Sequence, residues 1–175
     1  VAVCENGNYY NRFYFVHPDG AVQHYDKKHL FTFGGEHKRF TAGTERVVVN
    51  FRGVRILLEV CYDLRFPVWS RNLGDYDMIL YVASWPTPRV DAWSALLRAR
   101  AIENQCYVAG VNRMGVDPAC EYSGGSAIID PYGKTIAECP WSRESAVSAD
   151  IDMEALQAFR KKFPVLDDAD PFTLI

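Results

Sequence analysis

The sequence predicts an α/β fold: a mixed β-sheet arrangement in which two sheet layers pack face to face under outer helices. Two patterns carry that prediction. Strand–helix–strand alternation fills the middle of the chain, and hairpin patterns stand on both sides of it. Of the 175 residues, 49% are apolar and 14% aromatic, which suffices for the core of one domain spanning residues 1–175.

Val1-Ala2-Val3 already reads as the interior of a strand, with no initiator Met, signal peptide or polar leader, so the sequence is expected to begin inside a domain. Residues 8–17 are rich in Tyr, Phe and Val. Pro18-Asp19-Gly20 supplies a turn and residues 21–25 resume as a strand, making a hairpin. Residues 27–44, with Gly34, Gly35 and Gly43, mixed charge and no sustained period, are expected to form a functional loop. Two β-branched runs, 46–51 and 54–60, are split by Arg52-Gly53 and predict a second hairpin that runs into Cys61.

A short helix is expected over 66–72 and a buried strand over 78–83. Asp91 is placed to cap a helix whose Ala92, Leu96, Ala99 and Ile102 recur on one face. A strand is expected over 106–111. Residues 126–150 then read as an antiparallel meander of three strands, turning first at Pro131-Tyr132-Gly133. An amphipathic helix over 152–162, capped by Asp152, closes the pattern.

The net charge of −3 and the absence of an unbalanced Lys/Arg block argue against a nucleic-acid partner. No apolar run approaches the roughly 20 residues that span a bilayer, so no membrane partner is expected. Small molecules are the expected partners. Five cysteines (Cys4, Cys61, Cys106, Cys120, Cys139), an odd count without CxxC spacing, point to a reducing, cytoplasmic compartment. His17, His24, His29 and His37 show no metal-ligand spacing, so no metal is expected, and His29 reads as a hydrogen-bonded structural residue.

Cys61 ends an apolar strand just where the chain is expected to turn into a helix. Such an elbow exposes a side chain and leaves backbone N–H groups unpaired, which suits a nucleophile with an oxyanion site. A free thiol has a pKa of roughly 8.5, so it needs a base or a positive field near neutrality. Lys27 and Lys28 end the first hairpin and point to opposite sides, so at most one faces the cysteine. Glu36 follows in the glycine-containing loop. A cation, a carboxylate and a thiol can together support nucleophilic catalysis. Taken singly, each residue also has an ordinary reading: core thiol, strand-end lysine, loop acid.

The segments Tyr25-Asp26-Lys27-Lys28-His29-Leu30-Phe31, Gly35-Glu36 and Glu59-Val60-Cys61-Tyr62-Asp63-Leu64-Arg65-Phe66-Pro67 resemble, in order and separation, the lysine and cysteine motifs of the nitrilase superfamily of carbon–nitrogen hydrolases. Ala83-Ser84-Trp85-Pro86, residues 98–104 and Asp130-Pro131-Tyr132-Gly133 extend the likeness over nearly the whole chain. Among the branches, it looks most like the omega-amidases that act on 2-oxo dicarboxylic acid monoamides.

The resemblance implies a four-layer α-β-β-α sandwich, here lacking its first strand-helix units. It also implies a Glu-Lys-Cys triad of which Lys27 and Cys61 match two members, no cofactor, and a homodimer or larger homo-oligomer. Lys27 is preferred to Lys28 because it stands two residues before His29. Cys61 would attack the amide carbon while Lys27 and the Tyr62 backbone N–H hold the oxyanion. Ammonia would leave to give a thioester, and water would release the acid.

The family's general base belongs to a Pro-Glu motif on an earlier strand that nothing in these residues matches. Glu36 corresponds instead to a second glutamate that supports the lysine and positions substrate. Arg65 has two readings, an ion pair with Asp63 or another acid, or a fork for a substrate carboxylate. Trp85 either walls the acyl pocket or plugs the core. The expected activity is hydrolysis of a small linear carboxamide. Its alternatives are a non-catalytic binding or assembly module and a redox sensor acting through Cys61.

Overall fold

The computed structural model describes residues 1–173. In chain order its strands are β1 (Ala2–Glu5), β2 (Asn8–Val16), β3 (Val22–Asp26), β4 (Val48–Phe51), β5 (Val54–Val60), β6 (Met78–Ala83), β7 (Tyr107–Asn112), β8 (Met114–Val116), β9 (Glu121–Ser123), β10 (Ala127–Ile129) and β11 (Thr135–Glu138). The helices are α1 (Val90–Asn104) and α2 (Met153–Lys162). β1, β2 and β3 make an antiparallel sheet. A six-stranded sheet runs in the order β11-β10-β7-β6-β5-β4, parallel from β5 to β7 and antiparallel at both edges. The mixed sheet with flanking hairpins is therefore present.

The alternation of β5 shows how the layers form. Ile56, Leu58 and Val60 face the three-stranded sheet and pack with Tyr25, Phe13 and Phe15. Leu57 faces the other way, with Ile79, Tyr81, Trp93 and Leu97. Successive strand residues point to opposite faces, so a strand apolar at nearly every position is buried on both sides, and each large apolar side chain buried contributes about 1.5–3 kcal/mol. α1 crosses over between β6 and β7 and lies close on β7. A Cβ at Gly110 would stand 2.6 Å from Leu97 and 2.7 Å from Trp93. Among the described residues the layers run helix, sheet, sheet, in the order of the expected sandwich.

Several elements differ from expectation. The helix expected over 66–72 is a 3-10 helix at Cys61–Arg65 instead, because the Asp63 carboxylate accepts the Val60 N–H (3.0 Å) and winds the chain immediately after β5. Asp91 lies inside the first turn of α1 and caps nothing; no side chain caps that end.

The buried face of α1 is Trp93, Leu97, Arg100, Ala101 and Asn104, while Ile102 is exposed. Arg100 and Asn104 bury because distant groups need them. Arg100 Nη2 donates to Leu64 O (2.6 Å), and Asn104 Oδ1 accepts from Asn72 N (2.9 Å). The third strand of the 126–150 meander is absent, since β11 is the sheet edge and residues 142–148 are exposed with no ladder to join. The β8–β9 hairpin was not anticipated. α2 is capped by Asp152, whose side chain accepts from Ala155 N. No helix among the described residues is long and apolar enough to cross a membrane.

Candidate active site

Cys61 sits at the joint between β5 and the 3-10 helix with φ +48°. A left-handed backbone at a residue with a side chain costs about 1–2 kcal/mol, and such strain concentrates at functional sites. The joint exposes the thiol at the end of a central strand. It also leaves the N–H groups of Cys61 and Tyr62, at the start of the helix, without partners inside it.

A cavity of about 390 Å³ opens over this joint, within the range of small-molecule sites. Lys27, Glu36, Cys61, Tyr62, Arg65 and Trp85 all line it. Lys27 immediately follows β3, with a buried side chain whose Nζ lies 2.6 Å from Glu36 Oε2. Lys28 points to the other side, its ammonium over the Trp69 ring. The loop that carries Glu36 is pinned at two points, Thr41 N to Tyr9 O (2.7 Å) and Gly43 N to Lys27 O (2.9 Å).

The electrostatics divide the roles. Burial pushes the Cys61 thiol up, Lys27 pulls it down, and Glu36 and Asp63 oppose the lysine. Burial would also raise the Glu36 carboxyl, yet hydrogen bonds from Asn11, Lys27 and the Phe31 N–H, with the lysine charge, hold it below its ordinary value. Both of its oxygens are committed: Oε1 to Asn11 Nδ2 (2.9 Å), Oε2 to Lys27 Nζ and Phe31 N (2.6 Å each). A carboxylate so held is a poor proton acceptor. Among the described residues, Glu36 is the one acid that lines the cavity.

Arg65 does not pair with Asp63. Its guanidinium lies over the Trp85 ring, 5.0 Å from the centroid, and forms no ion pair among the described residues. Arg89 borders the same cavity over the Phe31 ring (5.4 Å). Trp85 is both wall and core: it lines the cavity, packs on Trp93 and donates from Nε1 to Arg89 O (2.7 Å).

Sequence reasoning passed over Asn11, Arg89 and Asp63 as contributors to the site. Asn11 carried a usable signal, a polar residue in the register of Phe13 and Phe15 on the inward face of β2. His29 is hydrogen-bonded to Asp63 through Nδ1 (2.8 Å).

The chain is similar to known proteins over nearly its whole length. The carbon–nitrogen hydrolase family model matches residues 1–161. The chain is 53% identical over 175 residues to the omega-amidase YafV of Escherichia coli K12, covering 99% of this chain and 68% of that protein. It is 41% identical over 171 residues to the 2-oxoglutaramate amidase of Bacillus subtilis 168, covering 96% and 66%. It thus spans about two thirds of the length of these relatives. The crystal structure of XC1258 from Xanthomonas campestris, a CN-hydrolase superfamily protein with an arsenic adduct in its active site, superposes with a TM-score of 0.96 at 47% identity, over 100% of this chain and 69% of that one. The chain belongs to the carbon–nitrogen hydrolase family, with the nitrilase-superfamily fold.

Proposed function

We propose that this chain is the cysteine-bearing part of an omega-amidase-like enzyme that hydrolyses a small linear carboxamide, a 2-oxo dicarboxylic acid monoamide, to the acid and ammonia. The observation that carries this reading is the Cys61 thiol at a strained elbow, in one cavity with the Lys27–Glu36 pair. The names of the Escherichia coli and Bacillus subtilis relatives support the substrate class.

In this reading the Cys61 sulfur bonds to the amide carbon, and the carbonyl oxygen takes its charge between the Lys27 ammonium and the Tyr62 N–H. The C–N bond breaks, ammonia leaves with the proton it gains, and a thioester remains. Water then cleaves the C–S bond and returns the thiol. The resemblance assigns the proton transfers to a glutamate of an upstream Pro-Glu motif; Glu36, with both oxygens committed, holds Lys27 in place. Arg65 and Arg89, each over an aromatic ring, keep guanidinium donors for a substrate carboxylate.

Ammonia release from 2-oxoglutaramate by the full-length protein, with its upstream Pro-Glu strand, and by its Cys61→Ala variant tests the reading. Release that is abolished by the substitution is expected, and equal release from both proteins refutes it. A second reading, a non-catalytic binding or assembly module, is favoured by the raised Cys61 thiol and the absence of a free carboxylate in the cavity among the described residues. It predicts no ammonia from either protein and Cys61 alkylation no faster than at Cys4 or Cys120.

A further inference from the structure

Asp63 borders no part of the cavity, yet it joins the two segments that carry the reacting groups. Its carboxylate is fully buried and accepts four hydrogen bonds. Oδ1 accepts His29 N (2.9 Å) and His29 Nδ1 (2.8 Å). Oδ2 accepts Tyr25 OH (2.8 Å) and Val60 N (3.0 Å). Tyr25 and His29 bracket Lys27 by two residues on either side, and Val60 is bonded to Cys61.

We propose that Asp63 is a positioning residue: one buried carboxylate holds the flanks of Lys27 and of Cys61 and thereby sets the ammonium against the thiol. The proposal rests on the reading above only in taking Lys27 and Cys61 as the working pair.

The surroundings make this joint stiff. The Tyr25 hydroxyl that donates to Asp63 also accepts Lys28 N and Trp69 Nε1, each at 3.1 Å. The His29 ring stacks flat on Phe66, with centroids 3.8 Å apart and planes 5° from parallel, and meets Trp69 edge-on. Four donors around one desolvated carboxylate form a charge-assisted cluster in which each bond is stronger than a neutral one.

The carboxylate has no isosteric substitute. Each oxygen faces one backbone N–H, Val60 on one side and His29 on the other, and neither can turn away. An amide in either orientation therefore sets its NH2 against a fixed donor. Asp63→Asn leaves one flank unheld, and which flank it is does not matter to the outcome.

The charges facing Cys61 give the test a sign. Lys27 lowers the thiol, whereas Glu36 and Asp63 raise it. Removing the Asp63 charge without moving anything would make the thiol easier to ionise. Letting Lys27 drift makes it harder, because the cation that most lowers the thiol moves away.

The experiment follows iodoacetamide alkylation of Cys61 in the full chain as a function of pH, read at the Cys61 peptide by mass spectrometry. For Asp63→Asn the midpoint is expected to move up, and alkylation near pH 7.5 slows about 10-fold each time the midpoint rises by one on the pH scale. In amide hydrolysis kcat is expected to fall by more than KM changes. Tyr25→Phe removes one arm of the joint and is expected to shift the midpoint in the same direction by a smaller amount, about 3-fold in rate; it serves where Asp63→Asn does not fold.

Leu97→Ala, in the core on the far side of β5, provides the stability control: the protein melts earlier and the midpoint stays. A midpoint that is unchanged or moves down in folded Asp63→Asn, or in Tyr25→Phe if Asp63→Asn does not fold, overturns the proposal. So does an equal upward shift in Leu97→Ala. Alkylation needs no substrate, so absence of ammonia release from the full-length wild type would refute the amidase reading while leaving this test intact.

Discussion

Two buried carboxyl groups flank Cys61, two residues before it and two after, and they are treated in opposite ways. Asp63 faces the three-stranded sheet and accepts four hydrogen bonds. Glu59 faces α1, and only Oε2 has a partner, Ser70 Oγ at 2.9 Å. Its Oε1 has none among the described residues. Burial, with the charge of Asp63 added, pushes the Glu59 carboxyl up to about 8, so it holds its proton at neutrality. The number of donors at each site decides where the one negative charge can be kept: a desolvated carboxylate needs several, and a neutral acid needs few. The charge sits on the side where Lys27 and Cys61 are joined, and the neutral acid fills space behind them.

The largest effect is expected from removing the charged member. Asp63→Ala leaves four donors, two of them fully buried, unanswered and should cost roughly 3–5 kcal/mol, the range seen when one partner of a buried charged cluster is deleted; a denaturant midpoint measures it. A loss below about 1 kcal/mol would show that the joint is dispensable for the fold.

Glu59→Gln tests the neutral member and should act in the opposite direction. The unfolded chain ionises Glu59 near 4.5, whereas the folded protein does so near 8. Between these values the unfolded state has released a proton that the native state keeps, so stability falls as pH rises through that window and levels off above it. The amide has no such slope. Relative to wild type it should gain roughly 4 kcal/mol by pH 8 and nothing at pH 4, since each tenfold change in proton affinity is worth about 1.4 kcal/mol. Parallel stability curves for the two proteins would show that Glu59 is ionised throughout.

The smallest effect belongs to a carboxylate outside the comparison. Asp152→Ala removes the cap of α2 and should cost about 1 kcal/mol at neutral pH without moving the Cys61 alkylation profile. A shifted profile would mean that the site is coupled to α2 as well as to the Asp63 joint.

The elements legible in the sequence were those whose pattern is local. β2 and β3 around Pro18-Asp19-Gly20, β4 and β5 around Arg52-Gly53, and the Asp152-capped α2 follow from turn chemistry and alternation within a few residues. The joint at Cys61 was legible for the same reason, since a predominantly apolar strand stops there. α1 was legible as a helix but not in its orientation. Its apolar stripe suggested the face of Ala92, Leu96, Ala99 and Ile102, while burial follows Trp93, Leu97, Arg100 and Asn104. Periodicity records where apolar groups lie, and cannot show that Leu64 O and Asn72 N require polar partners from this helix.

By itself, then, the sequence determined the two-sided burial of β5, the order of hairpins and crossover, and the presence of Lys27, Glu36 and Cys61 in the spacing of a known family, all properties of neighbouring residues or of motif order. Only the tertiary structure decided that Arg65 lies over Trp85 rather than against Asp63, that Glu36 spends both oxygens holding Lys27 and Asn11, and that Asp63 and Glu59 differ in charge. The physical reason is the same each time. A carboxyl group keeps or loses its charge according to the donors that surround it, and here half of those donors, on Tyr25, His29 and Asn11, come from parts of the chain 25 to 38 residues away.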